Sequence, residues 1–427
     1  MDRLQTKFLS PIISVDFKRV FKNFFSLNLV QLSNIILPLI ILPYVVRIIG
    51  VEKFGLISFV QSFIMYFVII SDYGFNLAGT REVSIYRDNP AKLSEIFSSI
   101  MMVKILIGFV SFSVILVLVS TFDIFKTNRA LYLISTGMIF GSVLFPQWLF
   151  QGTEKMEFIP AISIPVKVVQ LILIFLIVKQ ENDYILYLII LSAAQLLIGI
   201  IGTIAAARIT RLQPGFPTFE GVKEQMSNGL KFFPVNIGTN IFNNSGVFFV
   251  GLMNGEYAAG IFSAADKIRL SLQLILSGLT MSVYPQAVKI IYESKQKFLE
   301  FMKKIFRISI LAGILIGLIL FFFSKEIILV LFGPQFKESI IMLKLFSIVI
   351  IVFSITEVWC YLVLVPFGFH ILINQIILFT TIFHIGLLAV LLNFFNYPGA
   401  VYSIIITQLI VLAAAWLAIK KKKLMGA

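Results

Sequence analysis

In a chain that is 59% hydrophobic, the charged and amide side chains embedded in apolar stretches are the ones equipped for chemistry. The densest group runs from Ser58 to Pro90. Ser58, Gln61, Ser62, Asp72, Asn76 and Gly79 recur at spacings of three, four or multiples of the turn, which predicts one polar helix face. Arg81 follows in the next turns. A carboxylate such as Asp72 set in hydrocarbon costs a few kcal/mol or more, so this face must meet protein or water. A second group lies in the other half of the chain. Asn236, Asn240, Asn243 and Asn244 make an unusually wet apolar segment, and Asp266, Arg269 and Gln273 share a face at i, i+3, i+7, with Lys267 beside them. Gln31, with Asn28 and Asn34, marks a shorter polar stripe near the start. Amides at these places either hydrogen-bond the hydroxyls of a ligand or tie helix to helix.

The charges in apolar runs divide the same way. Asp72, Asp266 and Glu357 are candidates for ion coupling, with a structural ion pair as the alternative for each. Lys104 and Lys167 fit the snorkelling of long side chains toward an interface. Catalytic signatures are absent, so the chain reads as no enzyme. It has no Gly-rich phosphate loop ending in Lys-Ser/Thr. His370 and His384 are its two histidines, without clustered Cys or acidic partners, so neither a metal nor another cofactor is expected. The single cysteine, Cys360, excludes an internal disulfide framework and reads as packing.

The elements that position these residues follow from hydropathy. Long apolar runs recur throughout, charged residues are only 13%, and mean hydropathy is +0.98, which together predict an all-α polytopic membrane protein. Twelve spans are expected, at about 27–48, 56–78, 99–120, 130–150, 158–178, 184–207, 231–253, 261–284, 305–324, 340–362, 370–392 and 398–419. The organisation is a basic interfacial N-terminus at 1–25, a six-helix bundle at 26–207, a cytoplasmic linker at 208–229, a second bundle at 230–419, and a basic tail at 420–427. Gly137 and Gly141 form a close-packing face within one lobe.

Charge sets the orientation. With both ends cytoplasmic, 23 of the 35 Lys and Arg fall in inward segments and 7 in outward ones. This rule, rather than nucleic-acid binding, explains the formal charge of +14. The halves also repeat: at an offset of 205, Gly50 meets Gly255, Gly55 meets Gly260, Ser58 meets Ser263, Lys92 meets Lys297 and Gly108 meets Gly313. Such a repeat predicts two pseudo-symmetric six-helix bundles around a central cavity.

One stretch also carries a family likeness. Pro43-Tyr44-Val45-Val46-Arg47-Ile48-Ile49-Gly50, then Phe54-Gly55, Asp72-Tyr73-Gly74-Phe75-Asn76-Leu77 and Arg81, resembles the first two helices of Wzx-type polysaccharide flippases. These belong to the multidrug/oligosaccharidyl-lipid/polysaccharide exporter superfamily. The motif likeness covers about the first hundred residues, and the rest agrees in hydropathy and length. The resemblance implies translocation of an undecaprenyl-pyrophosphate-linked oligosaccharide across the bacterial inner membrane. Its implied partners are that glycan, membrane lipid, a coupling cation (proton or sodium) and polysaccharide polymerase machinery. On that reading Arg269 and Lys267 hold the anionic head group, while Arg81, Asn76, Asn236, Asn240, Asn243, Gln31 and Gln273 complete the substrate contacts. Two rival functions remain. A drug antiporter of the same superfamily prefers an acidic cavity, and a membrane glycan polymerase or ligase usually presents a longer outward loop than this chain has.

Overall fold

The computed structural model describes residues 17–213, 215–422 and 424; the side chains before Leu29 and those of Val30, Gln31, Ile35, Val235, Asn236, Thr239 and Tyr292 lie outside the description. Of the basic N-terminus, residues 1–16 therefore lie outside the described residues, as do the predicted contacts of Gln31 and Asn236. Among the described residues there is helix and no strand. The first half contains α1 (Phe17–Asp72), α2 (Phe75–Tyr86), α3 (Pro90–Thr121), α4 (Asp123–Lys126), α5 (Arg129–Leu144), α6 (Gln147–Gly152), α7 (Phe158–Ile177) and α8 (Tyr184–Ile209). The second contains α9 (Phe219–Glu293), α10 (Lys295–Phe322), α11 (Ser324–Leu331), α12 (Ser339–Glu357), α13 (His370–Phe395) and α14 (Pro398–Lys421). The segment expected as a linker, 208–229, is helical from Phe219 onward.

Among the described residues, ten stretches are long and apolar enough to cross a membrane. Two of them, in α1 and α9, have over twice the residues one crossing needs. Each breaks at a single glycine: Gly50 has φ 74° and ψ 176°, and Gly255 has φ 88° and ψ 179°. An L side chain rarely adopts that backbone, which glycine takes at no steric cost. Tyr44 and Lys53, on either side of Gly50, both reach the junction between α7 and α8. Tyr44 Oη donates to the Val178 carbonyl at 2.8 Å, and Lys53 Nζ lies over the Tyr184 ring. Both arms of α1 thus return to one end of the molecule, and the ten stretches resolve into the twelve expected spans.

The 205-residue offset is geometric as well as textual. Gly50 and Gly255 share one backbone conformation. Asn89 caps α3 by accepting from the Lys92 amide, and Ser294, its equivalent, caps α10 by accepting from the Lys297 amide. The cores follow the same logic. Phe75, Ile100, Trp148 and Phe150 lie in a core confined to the first half, while Phe298, Met302, Leu362 and Val363 lie in one confined to the second. A third core takes Val45, Ile49, Phe59 and Val60 from α1 together with Val250, Ala259, Phe262 and Phe346 from the second half. The two lobes are fused at the Gly50/Gly255 end and keep separate cores at the other, where the start of α9 crosses to the first lobe: Gln225 and Asn228 donate to Glu82 at 3.3 and 3.0 Å, and the Tyr73 and Phe233 rings lie 5.3 Å apart.

Two helices end early. The polar face expected to run from Ser58 to Gly79 is broken after Asp72, because Tyr73 (φ 48°) and Gly74 (φ 81°) turn the chain before α2. The turn sits where the start of α9 crosses: a Cβ on Gly74 would lie 2.6 Å from the Gly229 carbonyl. Asn76 and Arg81 are therefore on a separate helix from Ser58 and Gln61. Span 10 changes character at Glu357, where α12 gives way to a π-helical turn, Val358–Leu364. Within the first lobe, Gly137 and Gly141 pack directly on Ser192 and Gln195 of α8, as their spacing predicts.

Candidate functional site

The lobes meet on their own equivalent residues. Ser263 Oγ donates to Ser58 Oγ at 3.0 Å, 205 residues apart. Gly55 and Gly260 lie one turn nearer the kinks; a Cβ on Gly55 would lie 2.6 Å from the Gly260 amide nitrogen, and one on Gly260 would strike the Val51 carbonyl. Only glycine permits this approach. Phe59 stacks on Phe248 with centroids 5.6 Å apart, and Tyr66 meets the same ring edge-on at 5.2 Å. Hydrogen bonds join the lobes around the contact: Gln335 Nε2 to the Val46 carbonyl at 2.8 Å, Asn128 Nδ2 to Glu256 Oε1 at 3.1 Å, and Arg47 to the Val330 carbonyl. This end of the molecule is shut.

Below the Ser58–Ser263 contact lies a cavity of about 280 Å³. The first lobe contributes Ser58, Gln61, Ser62, Met65 and Met138, and the second contributes Asn243, Asn244, Val247, Ser263, Asp266, Lys267 and Leu270. Equivalent helices of the two halves thus wall it, as the polar patterning predicts. Lys267 is half-buried on this wall. Asp266 is only 2% exposed, and its Oδ1 accepts from Arg269 Nε at 2.7 Å. Arg269, 1% exposed, also donates from Nη1 to Gln273 Oε1 at 2.6 Å, and its guanidinium lies 5.4 Å from the Phe346 ring centre. It stands behind the wall, inside the second lobe. The i, i+3 pairing read from the sequence is present, and Lys267 is the cation it leaves toward the cavity.

A second, smaller cavity of about 130 Å³ lies within the second lobe. Asn243 lines both cavities, and Gln273 lines the inner one with Glu357, Thr356, Thr380, Thr381 and Gln408. Glu357 is 6% exposed on this lining. No Lys, Arg or His is ion-paired with it among the described residues. Sequence patterning missed Thr380, Thr381 and Gln408, because each is an uncharged residue in a long apolar helix, where such side chains usually bond their own backbone or a neighbouring helix. Deeper in the lobe, fully buried His384 bonds Ser245 at 3.1 Å, Ser403 at 2.9 Å and Thr407 at 3.2 Å. It knits spans 7, 11 and 12 together, which is a packing role.

The other predicted residues sit apart from this centre. Asp72 is buried within range of the charge on Lys104, whose Nζ donates to the Ser142 carbonyl at 3.1 Å. Lys167 bonds Asn34 across spans 5 and 1. Asn240 is half-buried on span 7, where its carbonyl accepts from Asn244 Nδ2 at 2.8 Å. Asn76 is half-buried on α2, and Arg81 is exposed there. Among the described residues, no three His, Cys, Asp or Glu cluster with metal-binding geometry.

A protein of Escherichia coli (strain K12) named for O-antigen transport is 25% identical over 406 residues, covering 95% of this chain and 97% of that one. A protein of the same name from Shigella dysenteriae is 26% identical over 405 residues, covering 93% and 100%. Among solved structures, the lipid II flippase MurJ in an inward closed conformation superposes with a TM-score of 0.70 at 13% identity, covering 95% of this chain and 88% of that one. An inward-facing multidrug transporter of the MATE family gives 0.65 at 11% identity, covering 92% and 96%. These two establish the fold alone. The sequence model of the family described as polysaccharide biosynthesis protein matches residues 20–291, well over half of the chain, and the chain belongs to that family.

Proposed function

We propose that the chain is a flippase that moves an undecaprenyl-pyrophosphate-linked oligosaccharide from the cytoplasmic to the periplasmic leaflet of a bacterial inner membrane by alternating access. The observation that carries this reading is the cavity walled by Gln61, Asn243, Asn244 and Lys267 and shut at one end by Ser58 on Ser263. Positive charge in the loops supports cytoplasmic termini, and on that orientation the shut end faces the periplasm. The cavity then takes its load from the inside.

The chemistry divides among the walls. Lys267 supplies a compact positive charge for the pyrophosphate, while Arg269 neutralises Asp266 and keeps that carboxylate from repelling an anion. Asn243, Asn244 and Gln61 offer donors and acceptors to sugar hydroxyls. The polyprenyl tail stays in hydrocarbon between the lobes, so only the polar head requires a wet path. Release of Glu82 from Gln225 and Asn228 admits the head, and parting of Ser58 from Ser263 with re-closure of the opposite end carries it across; no covalent bond changes. The names of the E. coli and Shigella relatives and of MurJ support this assignment.

The test uses purified protein in proteoliposomes loaded with a fluorescent undecaprenyl-pyrophosphate saccharide, read by accessibility of the saccharide to an external quencher. The intact chain should translocate it, and Lys267→Ala should slow it at least tenfold, with Lys267→Arg recovering part of the rate. Equal rates for intact chain and Lys267→Ala would refute the head-group assignment. Transport of a cationic drug in place of the glycan would refute the function.

A further inference from the structure

We infer that the inner cavity of the second lobe is a subsite for a single sugar ring of the transported glycan, an inference that rests on the flippase reading. Its place supports this: Asn243 lines both this cavity and the one between the lobes, so a saccharide in the larger chamber has its next ring at the mouth of the smaller. The size, about 130 Å³, suits one ring and not a chain.

The lining has carbohydrate chemistry. Phe242, Phe353 and Tyr361 give it aromatic surface, against which the C–H faces of a pyranose pack. Its polar groups are rich in acceptors. Thr356 has already given its hydroxyl proton to the Val352 carbonyl at 2.9 Å, and Thr380 and Thr381 to the Ile376 and Ile377 carbonyls at 2.8 Å each. With the hydroxyl hydrogens engaged, these oxygens are left to act as acceptors. Glu357 adds a carboxylate with no cation paired to it among the described residues. Sugar hydroxyls are the complementary donors, and a hydroxyl-to-carboxylate hydrogen bond is among the strong ones. A buried polar group left without its ligand is costly, so a site built this way rejects a deoxy analogue sharply. The π-helical turn that begins at Val358, directly after Glu357, fits a functional site, where such turns concentrate. Arg269 links this ring site to the chamber, since it bonds Gln273 in one lining and Asp266 in the other.

Cys360 lines this cavity and is the chain's one cysteine, so the protein carries its own reporter. The purified full chain in detergent is incubated with N-ethylmaleimide at a temperature where thermal opening exposes buried Cys360, alone or with methyl pyranosides of glucose, galactose, mannose and N-acetylglucosamine; a bound ligand stabilises the closed state and slows the reaction. At least one pyranoside should slow modification of Cys360 severalfold, and mannitol at equal concentration should not. Glu357→Gln and, separately, Gln408→Leu should lose that protection while eluting as monodisperse protein. Protection by none of the four sugars, equal protection by mannitol, or protection by sodium chloride but not choline chloride overturns the inference; the last outcome makes this a cation site. Because free glycosides are used, the assay is independent of translocation. Sugar protection without flipping in proteoliposomes defeats the flippase reading alone, and flipping without protection defeats the subsite alone.

Discussion

Replacing Arg269 and Lys267 separates a cation paired inside the lobe from one that lines the chamber. Arg269→Ala strips the donor from Asp266, 2% exposed, and from Gln273, 8% exposed. Breaking a buried ion pair on one side costs roughly 3–5 kcal/mol. Both orphaned groups border cavities that admit water, so the lower end, about 3 kcal/mol, is expected. Removing both charges in Asp266→Ala/Arg269→Ala leaves neither one uncompensated, and such replacements are often near neutral. The double variant should therefore regain most of the lost stability, a coupling of about 2 kcal/mol within the range for contacting residues. Lys267→Ala, at a half-buried position bordering the chamber, should shift stability by less than about 1 kcal/mol and still abolish export. Thermal unfolding of purified variants in detergent measures the first set, and surface polysaccharide per unit of membrane protein measures the last. Arg269→Ala with native stability and lost export would refute the reasoning, because the arginine would then act on substrate.

The shut end offers further tests. In a chain with Cys360→Ala, the pair Ser58→Cys/Ser263→Cys should form a disulfide under mild oxidation, since the two Oγ atoms lie 3.0 Å apart, and reductant should restore the transport that oxidation stops. Failure to cross-link would mean the lobes do not meet there. Gly55→Leu should prevent this closure, because its side chain would enter the space of Glu256 and Gly260; unchanged cross-linking at 58 and 263 in that background would contradict the packing. Reporter fusions after Arg208 should read cytoplasmic and those near Asp123 and Asn254 periplasmic, and a cytoplasmic signal at Asn254 would invert the assignment of the shut end.

What the sequence made legible follows from where the determining physics lies. Hydropathy and length fix the helices, because every backbone group in a bilayer must be satisfied within its own segment. Repeat glycines were legible because their role is local: Gly50 and Gly255 each make one backbone turn that other residues avoid. Periodicity failed at Tyr73–Gly74, where the break is made by α9 arriving from the other half, a neighbour no local pattern contains. The same limit governs the site. Asp266, Lys267 and Arg269 were visible as a cluster, but their division of labour was not. Lys267 and Arg269 are two positions apart, so about 200° of helix separates their side chains. That angle turns one cation to the chamber and the other into the lobe, and the sequence does not say which face is which. The Phe346 ring and the Asp266 carboxylate decide it: they give a planar guanidinium a stacking surface and a partner that an ammonium would use less well. Arginine behind the wall and lysine on it is the arrangement that leaves a positive charge facing the chamber, where the proposed flippase function calls for an anion to bind and leave.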